Sequence, residues 1–500
     1  MDATAAFAAW TEQQLRRDTL MGVSALLSWD QQTQMPTAGA SGRSAQLALV
    51  GQMLHEWSIA PERRRLVDLL QASSDPMHQR VASVARRHLD RAVKLPSELV
   101  RRMSEAESEG FAAWARAKED DDFSTFAPHL QRSLDLSREK MNLIDPDRHP
   151  YDVALEDYDP GTTVETLRPL FSRLKGGLGE LIRAIDGAPQ FPEVLFGGAE
   201  AAQVALNRSV AESLGYDFGA GRLDVSAHPF TIELCRNDVR ITTHFSESDV
   251  LVGLGGTIHE VGHALYEQGL PGDTPLKHTG LDRAASMGLH ESQSRFWENA
   301  IGRSRPFCEW LAPQLRDQLG AGAPNGEQLF RQSNRVQPSL VRMFADEVTY
   351  NLHIIARFEL ELALFEGTLA VRDVPDAWRA MYQDTLGLAP PDDRVGCLQD
   401  VHWAHAAFGY FPSYTLGNLY AASLAATLQE AHPSLWQDVA DGRFGPILSW
   451  LRENVHSRGS MLDAPDLIRD VCGERDAVED FLAHVWGRHG ALYGVTRPVG

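Results

Sequence analysis

A mainly α-helical body carrying one small β-sheet is the fold class this sequence predicts, and three observations predict it. Apolar residues recur at helical spacing through much of the first 150 positions. One segment, residues 226–245, alternates as paired strands do. A third stretch reads His259-Glu260-Val261-Gly262-His263 and is expected to open a helix that continues through Ala264-Leu265-Tyr266-Glu267.

In the N-terminal part, Val81, Val84, Ala85, Leu89, Ala92 and Val93 are interleaved with Arg86, Arg87, Asp90 and Arg91, a helix with one face in the core. Pro96 marks a helix start. Asp157 to Gly161 is a turn, and Thr162 with Glu165 three positions on predicts a capping box for the next helix. Phe191-Pro192 and Gly197-Gly198 bracket a further break. Around Arg236-Asn237 two strands are predicted, with Val239, Ile241 and Phe245 on one face and Asp238, Arg240, Thr242 and His244 on the other.

Composition narrows the function classes. The balance of 47 basic and 68 acidic residues leaves a formal charge of −21, which argues against nucleic acid and anionic membrane as partners. The four cysteines are scattered, so neither a zinc ribbon nor a disulfide framework is expected. No stretch approaches the length and apolarity of a membrane span, and a soluble, cytoplasmic protein is expected.

The His259–His263 pair carries the chemistry. Residues four apart on a helix lie about 40° apart around its axis, one turn above the other, so both imidazoles can reach one ion. Glu260 projects near the same face and is left to accept a proton from water at that ion. This is the H-E-x-x-H arrangement of zinc peptidases, and chance gives roughly 0.04 such matches in this chain. A catalytic zinc needs a third protein ligand and an open position. Tyr266 and Gly269 stand where a metzincin would have glycine and histidine. Glu267 lies too far along the helix. The third ligand is therefore expected in Leu289-His290-Glu291-Ser292-Gln293, as Glu291 or His290, between which spacing does not decide.

Seven segments then resemble, in order, the Taq-type metallocarboxypeptidase family. They are His228-Pro229-Phe230, Asp238-Val239-Arg240-Ile241-Thr242, the His259–His263 run, and His290-Glu291-Ser292-Gln293. Next come Val341-Arg342-Met343-Phe344-Ala345-Asp346, Gly396-Cys397-Leu398-Gln399-Asp400-Val401-His402-Trp403, and Phe408-Gly409-Tyr410-Phe411-Pro412-Ser413-Tyr414. Val341 departs from the family's usual isoleucine. The resemblance implies a single helical domain over 1–500, with a deep central groove, zinc at its floor and the small sheet beside it, in the gluzincin manner. Residues 1–160 would form a groove wall and 161–500 the catalytic part. It implies a homodimer that removes single residues from peptide C-termini with broad preference. It also implies one Zn2+ per chain, which Co2+ could replace, on His259, His263 and Glu291, with Glu260 as the catalytic carboxylate.

Two further roles need residues. The oxyanion needs a donor, and Tyr410, Tyr414 and His402 carry suitable O–H or N–H groups. The substrate's terminal carboxylate suits a planar arginine fork, for which Arg342 is preferred over Arg240, with His228 lining the same subsite. Each arginine has an ion-pair alternative, Arg342 with Asp346 and Arg240 with Asp238. A zinc endopeptidase and a catalytically silent scaffold are the rival readings.

Overall fold

Helical periodicity over most of the chain produces a computed structural model that is 68% helical with one three-stranded sheet. It describes residues 1–320 and 322–498. The chain divides into two compact units, each assembled from three segments. The first comprises 1–93, 193–333 and 421–474, and the second 94–192, 334–420 and 475–500. Among the described residues no helix is long and apolar enough to cross a membrane.

In the first unit a long N-terminal helix, α1 (Ala3–Thr33), is capped by Asp2, whose carboxylate accepts the Ala5 N–H. Trp10 of α1 packs with Leu66, Leu70, Val81 and Leu281 in one buried cluster. The expected amphipathic helix spans Pro76–Lys94. It buries Val81 and Leu89, while Val84 and Ala85 are half-buried and Val93 faces solvent. Val93 sits near the end of that helix, where the apolar stripe has already turned away from the core.

The sheet has the order β1 (Leu223–Val225), β3 (Asp238–Thr243), β2 (Thr231–Cys235). β2 and β3 form the antiparallel pair read from the sequence, with Thr231 opposite Ile241 and an irregularity between Glu233 and Cys235. The parallel strand β1 has no alternation to announce it. Val239 and Ile241 are buried together as expected. The expected pattern fails in two places. β3 ends at Thr243, so His244 and Phe245 lie beyond it. Thr242, assigned to the polar face, is fully buried, because its hydroxyl is bonded to Ser226 Oγ at 2.7 Å and accepts the Phe230 N–H at 2.9 Å.

In the second unit the helices Ser97–Asp120 and Phe123–Ile144 pack side by side, followed by Val164–Asp186. The capping box of the last is built one residue later than expected, on Thr163 and Thr166 rather than Thr162 and Glu165. A hydroxyl at Thr166 closes the box as well as a carboxylate could, since the Thr163 N–H needs only an acceptor. The helix Tyr350–Glu366 is buried along most of its length and includes the buried polar residues Asn351, His353, Arg357 and Glu361.

Candidate metal centre and the arginine cluster

The histidine pair does not open its helix; it lies in the second half of Val250–Gly269, capped by Asp249. Gly253, Gly255 and Gly256 hide the first turns from a propensity reading. The glycine inside the motif explains what comes next. A Cβ on Gly262 would lie 2.5 Å from the Gln293 carbonyl oxygen and 2.6 Å from Ser294 Cα. Only glycine lets the helix Met287–Arg295 cross this closely, and that approach delivers Glu291 to the histidines.

His259, His263 and Glu291 each offer a donor atom, all within 4.8 Å of one another. Glu291 Oε2 stands 3.3 Å from His263 Nε2 and 3.7 Å from His259 Nε2. Two imidazoles and a carboxylate in this arrangement suit a tetrahedral divalent ion with one open position. His290 is turned elsewhere: its Nε2 is 2.9 Å from Glu267 Oε1, and its ring stacks on His263 at 4.5 Å.

The outer partners orient each ligand. Glu298 Oε2 is 2.8 Å from His259 Nδ1, and the His290 carbonyl is 3.1 Å from His263 Nδ1. Both contacts leave Nε2 facing the cluster. Arg295 donates to Glu291 Oε1 at 2.7 Å and to Glu298 Oε2 at 3.2 Å, tying the two carboxylates together. The electrostatics follow. Burial works against the charged form of Glu291, but Arg295 and the histidines outweigh it and hold the carboxyl well below its usual range. Burial pulls His263 down to about 4, so it is neutral and ready to ligate. Burial likewise opposes charge on His259, yet Glu291 and Glu298 hold it above the ordinary value. Glu260 is buried, which raises its carboxyl, and Thr231 Oγ1 lies 2.7 Å from its Oε2.

Also in the first unit, Arg240 sends both prongs to Asp238, at 2.8 and 2.7 Å, and lies 4.4 Å over the Trp29 ring. This is the ion pair that was its alternative. His228 is exposed.

The second unit gathers Arg342, His402, Tyr410 and Tyr414. Arg342 is 8% exposed, and its partner is Asp400 rather than Asp346. Nε and Nη2 donate to Asp400 Oδ1 at 3.1 and 2.9 Å, and Nη1 donates to the Tyr350 hydroxyl at 3.0 Å. Asp346 instead accepts the N–H groups of Val348 and Thr349 ahead of the Tyr350–Glu366 helix. Asp400 Oδ2 takes Nε of the fully buried Arg357 at 2.7 Å. His402 Nε2 is 3.3 Å from the Tyr414 hydroxyl, and the rings of Tyr410 and Tyr414 meet edge-on at 5.3 Å. Burial pulls His402 down to about 4, with Asp400 opposing and the two arginines assisting, so the ring is neutral near pH 7. Glu361 organises the segment behind it, accepting from Tyr151, Trp403 and the Gly409 N–H.

Sequence reasoning missed Glu298, Arg295, Thr231 and Arg357. Glu298 lies seven positions after Glu291 on the same helical run, a spacing that could have flagged it; Arg357 carries no such signal.

Residues 10–488 match the family model for carboxypeptidase Taq (M32) metallopeptidases. Thermostable carboxypeptidase 1 of Thermus thermophilus is 40% identical over 514 residues, covering 99% of this chain and 100% of that protein. Carboxypeptidase 1 of Bacillus subtilis is 36% identical over 94% of this chain and 95% of its own. The crystal structure of the M32 carboxypeptidase from Deinococcus radiodurans R1 superposes with a TM-score of 0.95 at 37% identity, covering 98% of this chain and 100% of that one. With two histidines and a carboxylate converging where they could hold a metal ion, and relatives alike over nearly the whole length, this metallocarboxypeptidase chain belongs to the carboxypeptidase Taq (M32) metallopeptidase family.

Proposed function

We propose that the chain uses one Zn2+, held by His259, His263 and Glu291, to release single residues from free peptide C-termini with broad preference. The observation that carries this reading is the convergence of those three donor atoms within 4.8 Å, with Glu260 adjoining His259 on the same helix. Co2+ would suit the same donor set.

When bound, the ion supplies Lewis acidity, polarising the scissile carbonyl and easing removal of a proton from water. Glu260 accepts that proton and returns it to the departing amine. Its buried, upward-shifted carboxyl suits both directions of transfer, because a base works best with a pKa near the operating pH. Thr231 holds the carboxyl in place. Tyr410 or Tyr414 donates to the oxyanion, with neutral His402 supporting the hydroxyl of Tyr414. Arg342 recognises the terminal carboxylate, since its guanidinium has more N–H groups than Asp400 and Tyr350 use. Arg240 already gives its fork to Asp238, so it and exposed His228 are assigned only to shaping the peptide's surroundings. One domain over the whole chain and a homodimer complete the reading on the family resemblance, and the scattered cysteines favour a cytoplasmic location.

Two measurements test it. Glu260→Gln should keep its metal while turnover falls by about 10²- to 10⁴-fold; near-normal turnover would remove Glu260 as the base. Wild type should cleave a free peptide and cut its C-terminally amidated counterpart poorly. Arg342→Ala should erase that discrimination by depressing cleavage of the free peptide alone. Equal cleavage of both peptides by wild type would favour an endopeptidase.

A further inference from the structure

A second cluster in the first unit meets the same donor criterion as the metal centre. Asp18 of α1 and His278 and Asp282 of the loop before the Met287–Arg295 helix each offer a donor atom, all within 4.8 Å of one another. Asp18 Oδ2 stands 3.4 Å from His278 Nδ1. The His278 backbone N–H donates to Asp282 Oδ2 at 2.9 Å, which fixes that carboxylate beside the imidazole. All three residues line a cavity of about 590 Å3, together with Glu233, Arg236 and Arg283.

An independent feature marks the cluster as a site rather than a chance grouping of charges. Asp282 is 3% exposed, and its Oδ1 is buried with no hydrogen-bond partner among the described residues. A buried carboxylate oxygen without a partner costs about 1–3 kcal/mol or more, so folded chains rarely keep one that nothing visits. Arg283 stands to Asp18 as Arg295 stands to Glu291, although Arg17 also lies 3.7 Å from the same Asp18 oxygen. There, Glu291 gives Oε1 to Arg295 and keeps Oε2 for the histidines. Here, Asp18 gives Oδ1 to Arg283 at 2.8 Å and keeps Oδ2 for His278. Arg283 also reaches Glu233, at 3.3 Å, so its charge is shared between two carboxylates.

From this geometry we infer that Asp18, His278 and Asp282 bind a second divalent ion. One imidazole and two carboxylates form a mixed nitrogen and oxygen set that suits Zn2+ or a neighbouring first-row ion. Such an ion would cross-link α1 to a loop 260 residues away in sequence. Its role would be structural, tying α1 to the loop before the Met287–Arg295 helix within the first unit.

Full-length protein is stripped of metal and dialysed against Zn2+, and bound zinc per chain is counted by mass spectrometry. Wild type should hold two ions. His278→Asn, which tolerates the positive φ of 55° at that position, should hold one. Asp282→Asn, which keeps an oxygen for the His278 N–H, should also hold one. His263→Ala should retain one ion, at the second site. Circular dichroism melts establish that each variant is folded. One zinc in wild type with none left in His263→Ala would overturn the inference, as would two ions persisting in both His278→Asn and Asp282→Asn.

Discussion

Replacing Gly262 by alanine tests the packing that brings Glu291 to the histidines. The added Cβ would meet backbone on the opposing helix, 2.5 Å from Gln293 O and 2.6 Å from Ser294 Cα, and backbone cannot rotate aside. Ordinary carbon contacts are about 3.5–4.0 Å, so the two helices must part by about 1 Å. Overpacking of this kind costs about 1–3 kcal/mol. Against it stands the helix propensity of alanine, worth about 1 kcal/mol over glycine. Gly255 provides the control, since it lies on the same helix with nothing within 4 Å of its Cβ position. Gly255→Ala should therefore gain most of that propensity and be more stable than wild type. Gly262→Ala should fall below Gly255→Ala by about 1–3 kcal/mol in urea unfolding of the metal-free protein. A shift of about 1 Å at Glu291 should also lower zinc affinity by about tenfold or more in chelator competition, and kcat/KM by up to about 10²-fold. If Gly262→Ala were as stable as Gly255→Ala with unchanged zinc affinity, the close crossing would not be what positions Glu291.

Glu298→Gln keeps the shape beside His259 but loses the charge, and should weaken zinc binding by about 10- to 100-fold in chelator competition; unchanged affinity would mean His259 is oriented without it. The fully buried His456, whose Nε2 lies 3.0 Å from Gln293 Oε1, sets an acid limit on stability. Burial, helped by Arg452, pulls it from 6.5 to about 3, so between those values the unfolded chain binds the proton and the folded chain does not. Its contribution is complete above pH 6.5 and is lost as pH falls through that window, by about 1.4 kcal/mol per pH unit. His456→Gln should flatten the dependence of unfolding free energy on pH between 6 and 4.5 by about that slope; parallel curves for variant and wild type would refute the assignment.

The sequence by itself determined the helical class, the antiparallel pairing of β2 with β3 and the H-E-x-x-H pattern of His259, Glu260 and His263, because each is written in local periodicity or short spacing. Four residues on a helix place two imidazoles together whatever surrounds them. Tertiary structure decided whatever depends on two distant segments meeting. Glu291 reaches the histidines because Gly262 lets a second helix approach, and His290 is held away by Glu267. Arg342 takes Asp400 rather than Asp346, because the backbone N–H groups after Asp346 claim its carboxylate first. Glu298 shares the helical run of Glu291, but it meets His259 only because that run packs beside the histidine helix. Asp18 and His278 come together across 260 residues of chain, a proximity that no periodicity encodes.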